Sequence, residues 1–228
     1  MKCRDIIRSA QRQHRKLLTL AESQAILQHH KIPFMKNIFV KYPDEAIAAA
    51  KKIGFPVALK VVSPEISHKT DVGGLQLNLR DEAEVSSAFK KIVASIRRKH
   101  QHAHISGFLV QQMASGLEVL VGGKKDLQFG QTICFGAGGI FVEVYDDVSF
   151  RVVPISKKDA QEMIREVKAY KILHGYRGKH YDVSAIEKIL LSTSKFLEEH
   201  QEIAELDINP IFVQAKGVVA VDARIILS

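Results

Sequence analysis

The order of apolar and polar residues in the first half of the chain predicts alternating helices and strands. Capping residues followed by apolar positions at helical spacing indicate helices over 19–28, 42–52 and 81–99. Dense or alternating apolar runs indicate strands over 36–41, 56–62 and 74–79. Gly54 follows the second helix, where a glycine often ends a helix. This half therefore predicts a sheet backed by helices.

The second half is richer in short strands. The strand-like runs are 107–113, 118–122, 132–135, 139–145, 150–155, 205–213 and 218–226. Two further helices are predicted, over 157–170 and 184–200. The pattern predicts an α+β (α/β) fold of two lobes, each a sheet backed by helices, with a ligand cleft between them. The predicted division is a basic N-terminal extension (1–16), an N-terminal lobe (17–107) and a C-terminal lobe (108–228).

Charge and composition narrow the class of protein. The 228 residues carry a formal charge of +8, much of it in 1–16 and 97–100. With five tyrosines and no tryptophan there is little aromatic interleaving, which argues against a nucleic-acid platform and leaves anionic ligands or a partner. No apolar run reaches the roughly 18–20 residues that span a bilayer, so no membrane is expected. The polar N-terminus and two distant cysteines predict a cytoplasmic protein.

Three oxygen-donor side chains lie in an apolar, strand-like stretch near the C-terminus. They are Asp207, Asn209 and Asp222. Because a buried carboxylate needs a cation or a full set of hydrogen bonds, these residues predict a Mg²⁺ site shared with nucleotide phosphates. The alternative is structural: Asn209 ends a strand and Asp222 caps a turn.

Lys60 and the segment that follows it are candidates for phosphate contact. Lys60 lies within the apolar strand 56–62, so its ammonium either reaches solvent at a sheet edge or points into a cleft. The segment 63–74 is rich in small polar residues and glycine, and its backbone N–H groups suit phosphate oxygens. His68 in this segment is either a solvated histidine or an acceptor of a phosphoryl group.

Arg151 stands between apolar neighbours and has two interpretations. It either pairs with a carboxylate such as Glu143 or binds phosphate. No Ser-His-Asp order, HExxH, CxxC or GxGxxG pattern supports a hydrolase, a zinc enzyme or a dinucleotide oxidoreductase. Mg²⁺-dependent phosphoryl transfer fits the candidates best, because positioning and charge neutralisation carry that chemistry.

Six segments in one order give a family resemblance. They are the strand of Lys60 and the segments 67–74, 126–130, 135–143, 147–154 and 205–210. Together they resemble the β subunit of ADP-forming acetyl-CoA synthetase (acetate–CoA ligase), an ATP-grasp module, over roughly residues 17–228. The resemblance implies an ATP-grasp fold and the reaction acyl-CoA + ADP + phosphate ⇌ organic acid + CoA + ATP. It also implies that an acyl phosphate and a phosphohistidine are intermediates.

The resemblance implies nucleotide-binding roles for five residues. Lys60 would contact the phosphates of ADP or ATP. Gln111, Gln112 and Met113 would line the adenine pocket at the hinge between the lobes, and Glu118 would bind the ribose hydroxyls. Related proteins often have Glu where this chain has Gln112, so the choice between ATP and GTP stays open.

The resemblance also implies a metal site and catalytic residues. Asn209 and Asp222 would hold Mg²⁺, with Asp207 beside them. His68 matches a loop histidine proposed in the family as a second phosphoryl acceptor. Arg151 would stabilise the phosphoryl group during transfer.

A partner follows from what this sequence does not contain. The family's main phosphohistidine and CoA-binding fold belong to an α subunit, so an α₂β₂ heterotetramer is expected. The alternative is a nucleotide-sensing regulatory module of an acyltransferase system. The intact set Asp207, Asn209 and Asp222, with His68, favours catalysis over sensing.

Overall fold

The chain folds into two compact units. The larger unit combines residues 1–34 with 114–228, and the smaller unit comprises residues 35–113. The computed structural model describes residues 3–63, 65, 66, 71–138, 147–175 and 178–228. Both units contain an antiparallel sheet with helices packed on it, which confirms the predicted α+β class.

The elements are numbered in chain order over the described residues. The helices are α1 (Cys3–Arg12), α2 (Leu20–His29), α3 (Pro43–Ile53), α4 (Glu82–Lys99), α5 (Lys157–Glu166), α6 (Tyr170–Leu173) and α7 (Val183–Glu199). The strands are β1 (Asn37–Val40), β2 (Val57–Val62), β3 (Leu75–Leu79), β4 (Gly107–Gln112), β5 (Leu117–Asp126), β6 (Gly130–Ala137), β7 (Val148–Val152), β8 (Ile203–Val213), β9 (Val218–Ala220) and β10 (Arg224–Leu227). Among these helices, none combines the length and apolar character needed to cross a membrane.

The smaller unit is a four-stranded sheet covered by two helices. Its strand order is β1-β4-β2-β3, and each neighbouring pair is antiparallel. Alternate residues of β2 pack into a core with α3 and α4. α3 ends at Gly54, whose φ of +94° suits glycine because the left-handed region disfavours a Cβ. The two long predicted helices and all four strands of this unit are confirmed.

In its described residues the larger unit contains a six-stranded sheet. The strand order is β10-β8-β5-β6-β7, and β9 also pairs with β8. A core of buried aliphatic and aromatic residues joins one face of this sheet to α5 and α7, and also includes residues of α1 and α2. The other face of the sheet carries Asp207 and Asn209, both on β8.

The division of the chain differs from the predicted one at both boundaries. The segment 1–16 contains α1, whose apolar residues share one helical face and are buried in the core of the larger unit: Cys3, Ile6, Ile7 and Ala10. It is therefore part of the domain and not an extension. Residues 17–34 also belong to the larger unit, through bridges from Leu17 to Ile226 and from Phe34 to Ala220. The predicted boundary at 107/108 moves to 113/114, because β4 completes the smaller sheet.

Two further elements differ from the sequence prediction. The helix predicted over 157–170 ends at Glu166, because Val167 has an extended backbone (φ −72°, ψ 140°). The strand predicted over 218–226 is divided into β9 and β10, which leaves Asp222 between them. The strand predicted over 139–145 lies outside the described residues.

Candidate functional site

Asp207 and Asn209 lie on the face of β8 that points away from the helices. Leu206 and Ile208 are buried in the core, and side chains alternate along a strand, so residues 207 and 209 face the other way. Asp207 lies opposite Gly122 on β5. The sequence had predicted a strand over 205–213, and on that strand the two donors share a face.

Asp222 lies beside Asn209 in the break between β9 and β10. The backbone N–H of Asn209 donates to the carbonyl oxygen of Asp222 at 3.3 Å, and that of Val221 donates to the carbonyl of Pro210 at 2.9 Å. These two bonds hold the break against β8. The structure therefore brings together Asp207, Asn209 and Asp222, although Asp222 is thirteen residues from Asn209 along the chain.

The electrostatics of this group suit a cation. Burial raises the pKa of Asp207, and the neighbouring charges of Asp222 and Glu205 raise it further, while Arg224 opposes them. Repulsion among carboxylates in a partly buried place is what a divalent cation relieves. Two carboxylates and the amide oxygen of Asn209 form a hard oxygen donor set, which fits Mg²⁺. We call this surface the acidic face: it comprises Asp207 and Asn209 on β8 and Asp222 at its edge.

Cys134 borders the acidic face and was missed by sequence reasoning. It lies opposite Gly122, the residue that also lies opposite Asp207. A Cβ on Gly122 would come within 2.7 Å of the Cys134 sulfur, so the glycine makes room for the thiol. Burial raises the pKa of Cys134, and Asp207 adds to the shift, so the thiol is neutral. The alternation of 132–135 was the signal that could have placed it on this face.

Glu118, the predicted ribose ligand, is the second residue of β5 in the same sheet and is partly buried. Its carbonyl oxygen accepts a hydrogen bond of 2.7 Å from the N–H of Gly138. A Cβ on Gly138 would lie 2.8 Å from the Cβ of Glu118 and 2.9 Å from its carbonyl carbon. Gly138 therefore fixes the position of Glu118 by close backbone contact.

Gly138→Ala is expected to displace Glu118 and weaken nucleotide binding. The added methyl overlaps backbone atoms, so the strand itself must shift, at a cost of about 1–3 kcal/mol in the free energy of unfolding. Denaturant unfolding and equilibrium dialysis with Mg·ADP measure the two effects. Glu118→Gln serves as the control, because it removes the charge without moving the strand. Native stability and native affinity in Gly138→Ala would show that the contact is unimportant.

Lys60 is buried within the smaller unit and is not on a sheet edge. β2 lies between β4 and β3, and Lys60 is 7% exposed. Leu59 and Val61 pack against the helices, so Lys60 is on the opposite face of the sheet, as is Leu109 beside it on β4. Gln111, 1% exposed, shares that face two positions along β4. The alternative in which the ammonium reaches solvent at a sheet edge is therefore excluded, and phosphate contact stays a prediction.

The three predicted hinge residues end the smaller unit. The N–H of Gln112 donates to the carbonyl of Lys36 at 3.0 Å, and that of Met113 donates to the carbonyl of Pro56 at 3.4 Å. Because these N–H groups serve the fold, recognition of a base by Gln112 or Met113 would rely on their carbonyl oxygens and side chains. The side chain of Gln112 is exposed and that of Met113 is partly exposed.

Arg151 does not join the acidic face. On β7 it lies opposite Ile133, a core residue, so it is on the helix-bearing face of the sheet. Its guanidinium makes a two-pronged ion pair with Glu166 of α5, one bond being 3.0 Å long, and lies 3.7 Å from Glu162. Of the two interpretations, the structure shows pairing with a carboxylate: the described partner is Glu166, and Glu143 lies outside the described residues. The predicted role in phosphate transfer lacks support from this geometry.

Arg151→Met is therefore expected to lower stability modestly and leave nucleotide binding unchanged. The pair is partly exposed, so solvent screening limits its contribution to about 0.2–1 kcal/mol. The pKa of Glu166 is lowered first by Arg151 and then by Ser149. Since the folded-state pKa is depressed, the stabilisation is complete above the ordinary Glu pKa and is lost as pH falls through the lowered value. Urea unfolding at several pH values tests this, and a large loss of Mg·ADP affinity would contradict it.

His68 lies outside the described residues, as does Glu143. The proposed phosphoryl acceptor therefore stays a sequence prediction. Over the described part of the larger unit, the structure brings together the three predicted metal ligands. Over the described part of the smaller unit, it places Lys60 and Gln111 on one face.

The chain matches known proteins over almost its whole length. Residues 9–227 match the ATP-grasp domain family. The chain is 43% identical over 228 residues to the β subunit of ADP-forming acetate–CoA ligase I from Pyrococcus furiosus, covering 99% of this chain and 98% of that one. It also matches acetate–CoA ligase [ADP-forming] I from Archaeoglobus fulgidus, at 46% identity, but spans only 30% of that protein's length.

Solved structures give the same result. Acetyl-coenzyme A synthetase 1 from Ca. Korarchaeum cryptofilum, in complex with coenzyme A, Ca-AMPCP and HgCl⁺, superposes with a TM-score of 0.95 at 44% identity, covering 100% of both chains. The same enzyme with coenzyme A and Mg-AMPPCP, its phosphohistidine segment pointing towards the nucleotide site, gives a TM-score of 0.86 at 43% identity and the same coverage. This chain therefore belongs to the ATP-grasp family of ADP-forming acetate–CoA ligase β subunits.

Proposed function

We propose that this chain is the nucleotide-binding β subunit of an ADP-forming acyl-CoA synthetase. It converts acyl-CoA, ADP and phosphate to an organic acid, CoA and ATP, together with an α subunit. The observation that carries the proposal is the acidic face, where Asp207, Asn209 and Asp222 converge at one sheet. Near-complete coverage of a curated β subunit supports it. The ligase names of the relatives favour this function over the nucleotide-sensing module.

The proposed roles follow the chemistry of each side chain. Asp207, Asn209 and Asp222 would hold Mg²⁺, and the related enzyme has been solved in complex with Mg-AMPPCP. The ion would neutralise charge on the nucleotide phosphates when bound. Lys60 would donate to a phosphate oxygen, and its burial makes such a charge-assisted bond stronger than it would be in water. His68 would receive the phosphoryl group before ADP.

The partner would carry the CoA site and the main phosphohistidine. The related enzyme has been solved with coenzyme A and a phosphohistidine segment directed at the nucleotide. We propose an α₂β₂ heterotetramer, in which this chain supplies the nucleotide site. Two unpaired cysteines fit the cytoplasmic location that we expect for it.

Reconstitution tests the function. The purified chain is mixed with its cognate α subunit, and ATP formation from ADP and phosphate is measured with a panel of short acyl-CoAs. Each subunit alone is the control. ATP formation that needs both subunits and CoA thioester supports the proposal, whereas no turnover with any acyl-CoA would refute it. Unchanged turnover in His68→Ala would remove His68 from the mechanism without affecting the rest.

A further inference from the structure

A second group of metal-ligating side chains lies in the larger unit, apart from the acidic face. The group consists of His30, Glu199 and His200. Each offers one ligand atom, and these three atoms lie within 4.8 Å of one another. The Nδ1 atom of His200 is 2.9 Å from Oε1 of Glu202. We propose that these residues form a binding site for a divalent metal of the zinc class, with His30, Glu199 and His200 as ligands and Glu202 orienting His200.

The backbone brings the group together at two helix ends. His30 follows the last residue of α2, and Glu199 and His200 lie at the end of α7. The C-terminal end of a helix carries a partial negative charge, which favours a cation there. The two helices therefore contribute favourable electrostatics as well as ligands.

Both imidazoles are held in place before any metal binds. The ring of Phe196 lies 4.8 Å from that of His30 and 5.0 Å from that of His200, measured between centroids. His200 is 5% exposed, and its Nδ1 is engaged by Glu202. A carboxylate on one ring nitrogen fixes the tautomer and leaves Nε2 with the lone pair for a metal. This arrangement is typical of a histidine ligand.

The donor set selects the type of metal. Two imidazoles with one carboxylate suit Zn²⁺, whereas Mg²⁺ prefers oxygen donors alone. Tetrahedral ligands at zinc lie about 3.3–3.6 Å apart, so small side-chain rotations close the observed group around an ion.

Nearby cationic side chains would lower the affinity of the group for a metal, and some of them line its solvent-facing side. Lys195 lies 3.8 Å from Glu199, and a metal would compete with that ion pair. Arg4 and Arg8 line an open groove of about 370 Å³ together with Glu199, His200 and Glu202. A fourth coordination position on this side would take water or a small anion. The site would therefore bind zinc reversibly and would remain accessible from solvent.

Zinc titration of the untagged, metal-stripped full chain tests the proposal. We expect one equivalent of Zn²⁺ to bind in the presence of excess Mg²⁺, and Co²⁺ to give the visible spectrum of a tetrahedral site. Binding should be lost in His30→Asn and in His200→Gln. His29→Asn, which changes the adjacent exposed histidine, and Asp222→Asn, which changes the acidic face, should both retain it.

A milder substitution, at Glu202, distinguishes a metal site from a cluster of packed rings. Glu202→Gln should weaken zinc affinity about 10–100-fold, because only the orientation of His200 is affected. Far-UV circular dichroism confirms the fold of each variant, and His30→Asn decides the matter if the buried His200 cannot be replaced. Absence of stoichiometric zinc binding by the native chain, or binding that survives His30→Asn, would overturn the proposal and leave the group as packing around Phe196.

Discussion

Asp222→Asn is expected to reduce ATP formation by the assembled enzyme roughly 10²–10³-fold, which corresponds to about 3–4 kcal/mol of transition-state stabilisation. The substitution removes one of two carboxylates proposed to hold Mg²⁺ and so weakens neutralisation of the phosphates. The fold should survive, because the bond from Asn209 uses the backbone carbonyl of residue 222. The side-chain bond from the N–H of Ala223, 2.9 Å long, can also be kept by the amide oxygen of asparagine.

Glu205→Gln is the matched control for this variant. Glu205 also raises the pKa of Asp207, so it is close enough to influence the acidic face, but it is not a proposed ligand. Both variants are compared in ATP formation across a range of Mg²⁺ concentrations. The loss in Asp222→Asn should be partly recovered at high Mg²⁺, whereas Glu205→Gln should stay near the native rate. Full activity of Asp222→Asn at low Mg²⁺ would show that Asp222 does not hold the metal.

The acidic face was predictable because strand alternation and side-chain chemistry agree there. Buried residues at 206 and 208 require 207 and 209 to share the other face. Asp222 could be placed beside them because two strands that are consecutive in the sequence usually pair with each other. The same local patterns also predicted most helices and strands, because capping residues and period-two runs act over a few residues.

Arg151 shows what local sequence patterns leave open. The sequence shows that Arg151 and Phe150 point to opposite faces of β7. It does not show which face carries helices, because that depends on α5 folding back across the sheet. That packing places Glu166 beside it, fifteen residues further along the chain. The prediction that residues 1–16 form an extension is wrong for a related reason. Arg4, Arg8 and Arg12 dominate the composition of this segment, while its narrow apolar face is buried in the core. Charge described its surface and not its packing.

Lys60→Met should weaken the binding of Mg·ADP about 10–100-fold. A hydrogen bond to a charged group contributes about 1.5–3 kcal/mol, and methionine keeps the aliphatic stem while removing the ammonium. Lys60 lies on a central strand that solvent barely reaches, so water cannot easily replace the lost charge. Isothermal titration calorimetry with Mg·ADP and with Mg·ATP measures the effect.

The control for Lys60→Met is Lys52→Met, which makes the same change at an exposed position of α3 in the same unit. Lys52→Met should bind nucleotide like the native chain. Lys60→Arg adds a second comparison: it keeps the charge but places a larger, planar group in a buried strand, so intermediate affinity is expected. If Lys60→Met stays folded and binds Mg·ADP with native affinity, the buried ammonium serves the sheet and not the nucleotide. The phosphate-binding role would then have to pass to the glycine-rich segment 63–74, whose backbone N–H groups are the remaining donors that the sequence predicts.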